Sequence, residues 1–252
     1  RLAFQKAMGA RIPGLDWAGM LEQAIFLCVE HWREGEPVID LADVEPDQRT
    51  RWLVSPYLEY GGPTVLFGPG GVGKSMVAAS IALLVASGHG AIGTREGDAA
   101  RVLYLDWESD EIRHAERMRA LASGLGQEYT RGLVLYRQMH SALASSATQI
   151  KRLIARHEIG LLVVDSMTPA RGSSDQGGYE SSAMKLFDAL RALDVPALIV
   201  DHVSKASIQQ AKEEGHGVMP YGSIMTVNRA RNVWMLTQAG EEGEANFDLS
   251  FE

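Results

Sequence analysis

The stretch GPGGVGKS at residues 68–75 combines residue types that suit the binding of a polyphosphate. Backbone N–H groups can surround phosphate oxygens only where side chains are absent, and glycine removes the side chain and permits positive φ. The stretch satisfies the pattern GxxxxGK[ST], in which the lysine reaches the β- and γ-phosphates of ATP and the hydroxyl ligates Mg²⁺. We therefore expect the nucleotide to contact Gly68, Pro69, Gly70, Gly71, Val72, Gly73, Lys74, Ser75 and Met76, with Ser75 also a ligand of Mg²⁺.

The residues on either side of this loop predict the elements that must position it. Residues 64–67 (TVLF) form a short apolar run typical of a buried strand, and residues 74–86 are apolar on nearly every face, as in a buried helix. A helix that begins directly after the loop points its unpaired N–H groups at the phosphates. Strand, glycine loop and helix follow in the order that the phosphate-binding pattern requires.

Carboxylates follow two further apolar runs. Asp165 ends the run LLVVD, and a carboxylate at that place commonly orients Mg²⁺, usually through water. Glu108 lies in YLDWES after the predicted strand 102–105, where it could align and deprotonate an attacking water molecule. The alternatives are a solvated acid at the start of a helix, or Asp106 as the base.

His202 and a pair of arginines are further candidates. His202, in VDHVSK, follows the predicted strand 197–200, where a polar side chain can respond to the γ-phosphate, although a lone histidine is more often structural. Arg229 and Arg231 in NRARN are two residues apart, and an arginine that reaches a neighbouring subunit's γ-phosphate accelerates hydrolysis. Ordinary surface ion pairs are the alternative, and the residues themselves do not decide between the two.

Two long polar stretches follow the predicted strand ends, at residues 168–179 and 204–221. Loops of this length in a compact domain are usually functional or disordered. Arg171 lies in the first stretch, and Lys205 and Lys212 lie in the second. These three cations are candidate contacts to a polymer such as DNA, and plain surface loops are the alternative.

The pattern of runs predicts an α/β fold with two parts. From residue 52 to residue 252, short apolar strands alternate with helices, which predicts a mostly parallel sheet covered by helices on both faces. Residues 233–237 and 246–251 predict a C-terminal antiparallel hairpin. Residues 1–51 form an N-terminal segment, with a helix at 16–33 and an acidic connector; the helix either packs on the core or serves as an oligomerisation arm.

The composition narrows the possible classes of protein. No apolar run reaches the length of a membrane span, and the single cysteine, Cys28, fits a reducing compartment such as the cytoplasm. The net charge of −8 argues against a surface coated with phosphate-binding lysines. It still allows nucleic acid to be held by a few loops that line a ring or filament.

The order of the motifs GPGGVGKS, YLDWES, LLVVDS, VDHVSK and YGSIMTVNRAR resembles the RecA-like P-loop ATPases over residues 52–252. It is most similar to their RepA-type branch, the ring-forming replicative helicases of plasmids and the related ATPases of phages and mobile elements. The resemblance implies that Glu108 is the catalytic base, that His202 is the γ-phosphate sensor, and that Arg231 is an arginine finger that acts across a subunit interface. It also implies that Lys74 and Ser75 bind phosphate and Mg²⁺ and that Asp165 orients the metal ion.

The function implied by this resemblance is Mg²⁺-dependent ATP hydrolysis by an oligomeric motor. The expected assembly is a homo-oligomer, a hexameric ring, with single-stranded DNA on the two loops that line the channel. A DNA helicase or translocase in replication or recombination is therefore expected. Two alternatives remain open. One is a filament-forming recombinase or recombination mediator, and the other is a KaiC-like regulatory protein that is switched between states by its nucleotide.

Overall fold

The computed structural model describes residues 2–35, 38–44, 52–88, 99–126, 129–173, 178–204, 207–209, 213, 220, 224–239 and 246–251. Two compact units make up the chain, residues 1–48 and residues 49–252. In the described part of both units, no helix has the length and apolar character that crossing a bilayer would require.

The first unit contains two helices, α1 (Leu2–Arg11) and α2 (Trp17–Glu34). Asp16 caps α2, since its carboxylate accepts a hydrogen bond of 3.0 Å from the backbone N–H of Gly19. Helix α2 thus coincides with the predicted helix 16–33 to within one residue at either end. Neither α1 nor α2 has a buried residue. A short 3₁₀ turn follows at Leu41–Asp43, in the predicted connector.

The second unit begins with a small antiparallel pair of strands and continues as alternating strands and helices. Its described elements in chain order are β1 (Trp52–Val54), β2 (Leu58–Glu59), β3 (Pro63–Gly68), α3 (Lys74–Ser87), β4 (Arg101–Asp106), α4 (Glu111–Gly124), β5 (Val134–Gln138), α5 (Leu143–His157), β6 (Ile159–Asp165), α6 (Met167–Arg171), α7 (Gly178–Leu193), β7 (Ala197–His202), α8 (Ile224–Arg229), β8 (Asn232–Ala239) and β9 (Asn246–Phe251).

The main sheet has the strand order β5-β4-β6-β7-β3-β8-β9. Every neighbouring pair from β5 to β8 is parallel, and only β9 pairs with β8 in the antiparallel direction. The predicted α/β fold, with its mostly parallel sheet and its C-terminal hairpin, is confirmed. Because the six strands are parallel, their carboxyl ends lie along one edge of the sheet.

Side chains of the strands alternate between two apolar cores, one on each face of the sheet. One core packs the sheet against α3 and α4, and the other packs it against α5, α6 and α7. In β4, Val102 and Tyr104 belong to the first core, whereas Leu103 and Leu105 belong to the second. Since this alternation continues to the strand ends, it decides which terminal polar residues face α3.

The stretch 168–179 differs from the long polar loop that we expected. Residues 167–171 form the short helix α6, and α7 already begins at Gly178. Met167 and Ala170, three residues apart, are fully buried in the second core, so packing orders a segment whose composition suggested a loop. Residues 174–177 lie outside the described residues. Most of the second stretch, 204–221, also lies outside them, including Lys205 and Lys212.

Candidate nucleotide-binding site

The loop at residues 68–73 connects the carboxyl end of β3 to the start of α3, as the phosphate-binding pattern requires. At Gly68 the backbone passes close to β8, and a Cβ atom there would lie 2.2 Å from the carbonyl oxygen of Leu236. Gly73 has a left-handed conformation with φ +92° and forms the N-cap of α3. Close approach explains the first glycine, and a positive φ explains the second.

Lys74 is the first residue of α3, and only 4% of its surface is exposed. Its Nζ donates hydrogen bonds to the carbonyl oxygens of Gly68 (2.9 Å) and Pro69 (2.7 Å), which holds the ammonium group over the loop. Burial lowers the pKa of Lys74, and the neighbouring carboxylates of Asp165, Asp201 and Glu108 partly offset this effect. The lysine of the loop and the acids from separate strand ends therefore lie close together.

Asp165 is the last residue of β6 and is buried. It accepts a hydrogen bond of 2.7 Å from the hydroxyl of Tyr104 and a further one from the hydroxyl of Ser75. Burial raises the pKa of Asp165, and these two hydrogen bonds only partly counteract it. A buried carboxylate beside the hydroxyl of Ser75 provides the hard oxygen ligands that Mg²⁺ prefers, so these two residues fit the metal expected here.

The remaining ligands of such a metal ion would come from phosphates and water. Over the described residues, no group of three or more His, Cys, Asp or Glu side chains forms a metal-binding cluster. Mg²⁺ usually takes one or two protein ligands together with substrate phosphates and water.

Glu108 lies just beyond β4, and 49% of its side chain is exposed. Its Oε1 accepts a hydrogen bond from the hydroxyl of Ser166, and its Oε2 lies 3.8 Å from Nε2 of His202. The carboxylate therefore lies between the ends of β6 and β7, open on one side. A half-exposed carboxylate held at its other oxygen can accept a proton from a water molecule, as a general base must.

Asp106 does not meet the requirements for the base. Its carboxylate is 1% exposed, and its oxygens accept hydrogen bonds from the backbone N–H groups of Glu108 and Ser109, each at 3.0 Å. Because both oxygens are engaged and shielded from water, Asp106 has no free position for an attacking water molecule. Between the two candidates, the geometry favours Glu108.

Sequence reasoning missed two residues of this site, Tyr104 and Ser166. Tyr104 contacts Asp165 across neighbouring strands, and Ser166 contacts Glu108. Both leave a weak signal in the sequence. Tyr104 shares a face of β4 with Asp106, and Ser166 directly follows Asp165 in LLVVDS.

The two candidate arginines lie at the opposite edge of the sheet from Lys74. The backbone N–H of Arg231 donates to the carbonyl of Pro63, at the start of β3. Its side chain is 61% exposed, and its guanidinium group donates two hydrogen bonds to Glu59, at 3.1 Å and 3.2 Å. Arg229 pairs with Asp188 at 2.6 Å. Neither arginine can therefore act on the nucleotide site of its own chain.

Arg171 has a structural environment that differs from the one expected of a DNA-binding residue. Its Nη1 donates to the hydroxyl of Ser182 at 2.9 Å, and its guanidinium carbon lies 3.9 Å from the centre of the Tyr179 ring. These contacts tie α6 to α7, so the guanidinium group is turned into the protein. The geometry thus does not support Arg171 as a contact to a polymer, and Lys205 and Lys212 lie outside the described residues.

Comparison with known proteins assigns the chain to a family. The family model described as AAA domain matches residues 33–207, more than half of the chain. The chain belongs to this AAA domain family. No curated protein matches the chain. Among solved structures it is similar to a KaiC-like protein from the hyperthermophilic archaeon Pyrococcus horikoshii OT3, with a TM-score of 0.56 and 15% sequence identity over 79% of this chain and 82% of that chain.

The structural similarity concerns the fold, because the identity is low. Together with family membership, it supports a RecA-like P-loop ATPase, a class that generally uses ATP and Mg²⁺. The loop around Lys74 and the carboxylates next to it fit that class. The comparisons do not distinguish the RepA-type branch from other RecA-like proteins.

Proposed function

We propose that this AAA-family protein is an oligomeric RecA-like motor of the RepA type, a DNA helicase or translocase that hydrolyses ATP with Mg²⁺ and assembles as a ring. The observation that carries the oligomeric part is the separation of Arg231 from the loop of its own chain. The resemblance of the ordered motifs supports the DNA part, with single-stranded DNA as the partner.

In this proposal each residue at the carboxyl edge has a separate task. The N–H groups of residues 68–75 and the ammonium of Lys74 bind the phosphates of ATP, and Ser75 and Asp165 hold Mg²⁺. The metal ion, when bound, neutralises charge on the β- and γ-phosphates. Glu108 accepts the proton of the attacking water molecule, with Ser166 fixing one of its oxygens. His202, 3.8 Å from the other oxygen of Glu108, is placed to respond to the γ-phosphate.

Arg231 completes the site of a neighbouring copy. Arg231 bonds to Pro63, and the strand from Pro63 to Gly68 separates it from the loop by about 16 Å at the rise of a parallel strand. One arginine side chain does not span that distance. In a head-to-tail assembly, the arginine edge of one copy meets the nucleotide edge of the next, and this arrangement closes into a ring when the rotation allows it.

The first experiment measures ATP hydrolysis with and without single-stranded DNA, on protein whose mass is determined by light scattering. We expect a ring-sized species whose rate rises with DNA. A monomer that is indifferent to DNA would refute the proposal. A filament that exchanges strands without unwinding them would favour a recombinase, and slow turnover that responds to a protein partner would favour a nucleotide-switched regulator.

A mixing experiment tests the contribution of Arg231 in trans. Arg231→Ala and Lys74→Ala should each be inactive alone. When they are mixed, some interfaces will combine an intact loop from the first variant with an intact Arg231 from the second, so hydrolysis should partly return. If the mixture stays as inactive as its components, Arg231 does not act across an interface.

Two further variants make this result specific. Arg229→Ala in the same mixture shows which of the two arginines acts in trans. We expect no dependence on Arg229, because its side chain is only 23% exposed, against 61% for Arg231. Arg101→Ala is the matched control, since Arg101 begins β4 at the same edge of the sheet and is likewise paired with an acid, Glu158, at 3.2 Å. Arg101→Ala should keep wild-type activity.

A further inference from the structure

The turn that carries Glu108 is organised by a buried network around Asp106. Asp106 Oδ1 accepts from the N–H of Glu108, and Oδ2 accepts from the N–H of Ser109, both at 3.0 Å. Oδ2 also accepts from the hydroxyl of Tyr136 at 3.0 Å and lies 3.2 Å from Nε2 of His114. Four groups therefore converge on one carboxylate, two from the turn itself and one each from α4 and β5.

The side-chain partners of Asp106 belong to neighbouring elements of the fold. Tyr136 belongs to β5, which pairs with β4 so that Asp106 lies opposite Gln138. His114 belongs to the first turns of α4, is buried, and packs its ring 4.5 Å from that of Tyr104 and 5.1 Å from that of Tyr136. Burial would raise the pKa of Asp106, but hydrogen bonds from His114, the Glu108 amide and Tyr136 lower it below its usual value. The carboxylate is thus an ionised acceptor that strong donors saturate.

We infer that Asp106 is a positioning residue that fixes the backbone of residues 107–109 and thereby the reach of Glu108 toward the attacking water. The turn has no regular secondary structure. Apart from Asp106, its backbone is held by the hydrogen bond from the N–H of Trp107 to the carbonyl of Asp165, and by longer ones from Gln138 (3.3 Å) and Tyr136 (3.4 Å) to the carbonyl of Ser109. A general base misplaced by about 1 Å loses on the order of 100-fold in rate. Asp106 therefore supports catalysis through Glu108 without contacting substrate.

This inference rests on the proposed role of Glu108, and the test separates the two. Asp106→Asn keeps the shape of the side chain but turns one acceptor into a donor, which faces the N–H of Ser109 and the hydroxyl of Tyr136. We expect kcat to fall at least about 10-fold, whereas the affinity for ATP changes by less than about 2-fold, because the loop at residues 68–75 is unchanged. A merely structural role would lower the amount of folded protein without separating kcat from affinity.

Two measurements show whether the effect passes through Glu108. In the Glu108→Gln background, Asp106→Asn should cause little further loss, because the two residues act as one unit. Hydrogen exchange of the peptide covering residues 105–112 should be faster in Asp106→Asn than in wild type, whatever the activity. Exchange in α5 should stay unchanged.

Tyr136→Phe keeps the inference testable if Asp106→Asn does not fold. It removes one of the four hydrogen bonds to Asp106, together with the longer contact of 3.4 Å to the Ser109 carbonyl, so kcat should fall by about 3-fold or more and exchange in the turn should rise. Tyr129→Phe is the matched control, since Tyr129 is half-buried like Tyr136 and does not contact Asp106. It should match wild type in both measurements.

The outcomes are distinguishable. If folded Asp106→Asn or Tyr136→Phe keeps wild-type kcat and wild-type exchange in the turn while Glu108→Gln is inactive, the inference is overturned and the proposed function stands. If Glu108→Gln itself hydrolyses ATP at the wild-type rate, the proposed role of Glu108 fails. The exchange experiment then still decides whether Asp106 orders the turn.

Discussion

Asp201 gives the sharpest quantitative prediction for the stability of this protein. It precedes His202 at the end of β7 and is fully buried, at 0% exposure. Among the described residues, neither oxygen of its carboxylate has a well-formed hydrogen bond, although the N–H of His202 is close enough to act on it weakly. Burial raises the pKa of Asp201 to about 7, with the His202 amide, Arg171 and Lys74 opposing that rise.

The sign of the effect on stability follows from proton binding. In the unfolded chain Asp201 ionises near its usual value of 3.8, whereas in the folded protein it holds its proton up to about pH 7. Between those values the folded state binds more protons than the unfolded state, so Asp201 lowers the free energy of unfolding as the pH rises. Above the folded pKa this cost levels off at about 4 kcal/mol, because each tenfold difference in the acid dissociation constant between the folded and unfolded states corresponds to about 1.36 kcal/mol.

Asp201→Asn removes this pH-dependent cost because asparagine does not ionise. We expect the stability difference between the variant and wild type to shift in favour of the variant by about 2 to 3 kcal/mol between pH 5 and pH 8.5. Any fixed cost of placing an amide in the core is the same at both pH values and cancels in this comparison.

Denaturant titrations of the full chain at several pH values, followed by circular dichroism, measure this difference. Asp110→Asn is the matched control: it is the same substitution at a partly exposed residue, and asparagine also caps helices well. A difference for Asp201→Asn that does not change with pH, or that favours the variant more at acid pH, would refute the reasoning.

Three further predictions concern the nucleotide site. Glu108→Gln should lower kcat by about 100- to 10,000-fold while ATP still binds, since an amide cannot take the proton of water; hydrolysis near the wild-type rate would place the base elsewhere. Lys74→Ala should weaken the binding of a fluorescent ATP analogue by about 10- to 100-fold through loss of a charged donor, and unchanged affinity would contradict this. Gly68→Ala should lower the free energy of unfolding by about 1 to 3 kcal/mol, because its Cβ would lie 2.2 Å from the Leu236 carbonyl oxygen. Gly70→Ala, whose Cβ would meet nothing within 4 Å, is its control.

Some parts of this structure could be read from the sequence because they depend on short-range patterns. The phosphate-binding loop is defined within eight residues, and apolar runs separated by helical patterns define a parallel sheet. Once the sheet is parallel, the ends of β4, β6 and β7 must share an edge with the loop, so Glu108, Asp165 and His202 could be grouped before any coordinates. Helix α6 could not be predicted, since burial of Met167 and Ala170 outweighs the loop-like composition around them.

Only the tertiary structure decided which of several similar residues is buried and hydrogen-bonded and which is exposed. Asp106 and Glu108 are two residues apart, yet one is saturated by buried donors and the other is half-exposed. The deciding contacts join residues far apart in sequence: 61 positions for Tyr104 with Asp165, 58 for Ser166 with Glu108, and 172 for Arg231 with Glu59. A residue's type and spacing determine the chemistry that it can do, whereas burial and hydrogen-bond partners, which depend on distant segments, determine whether it is free to do it.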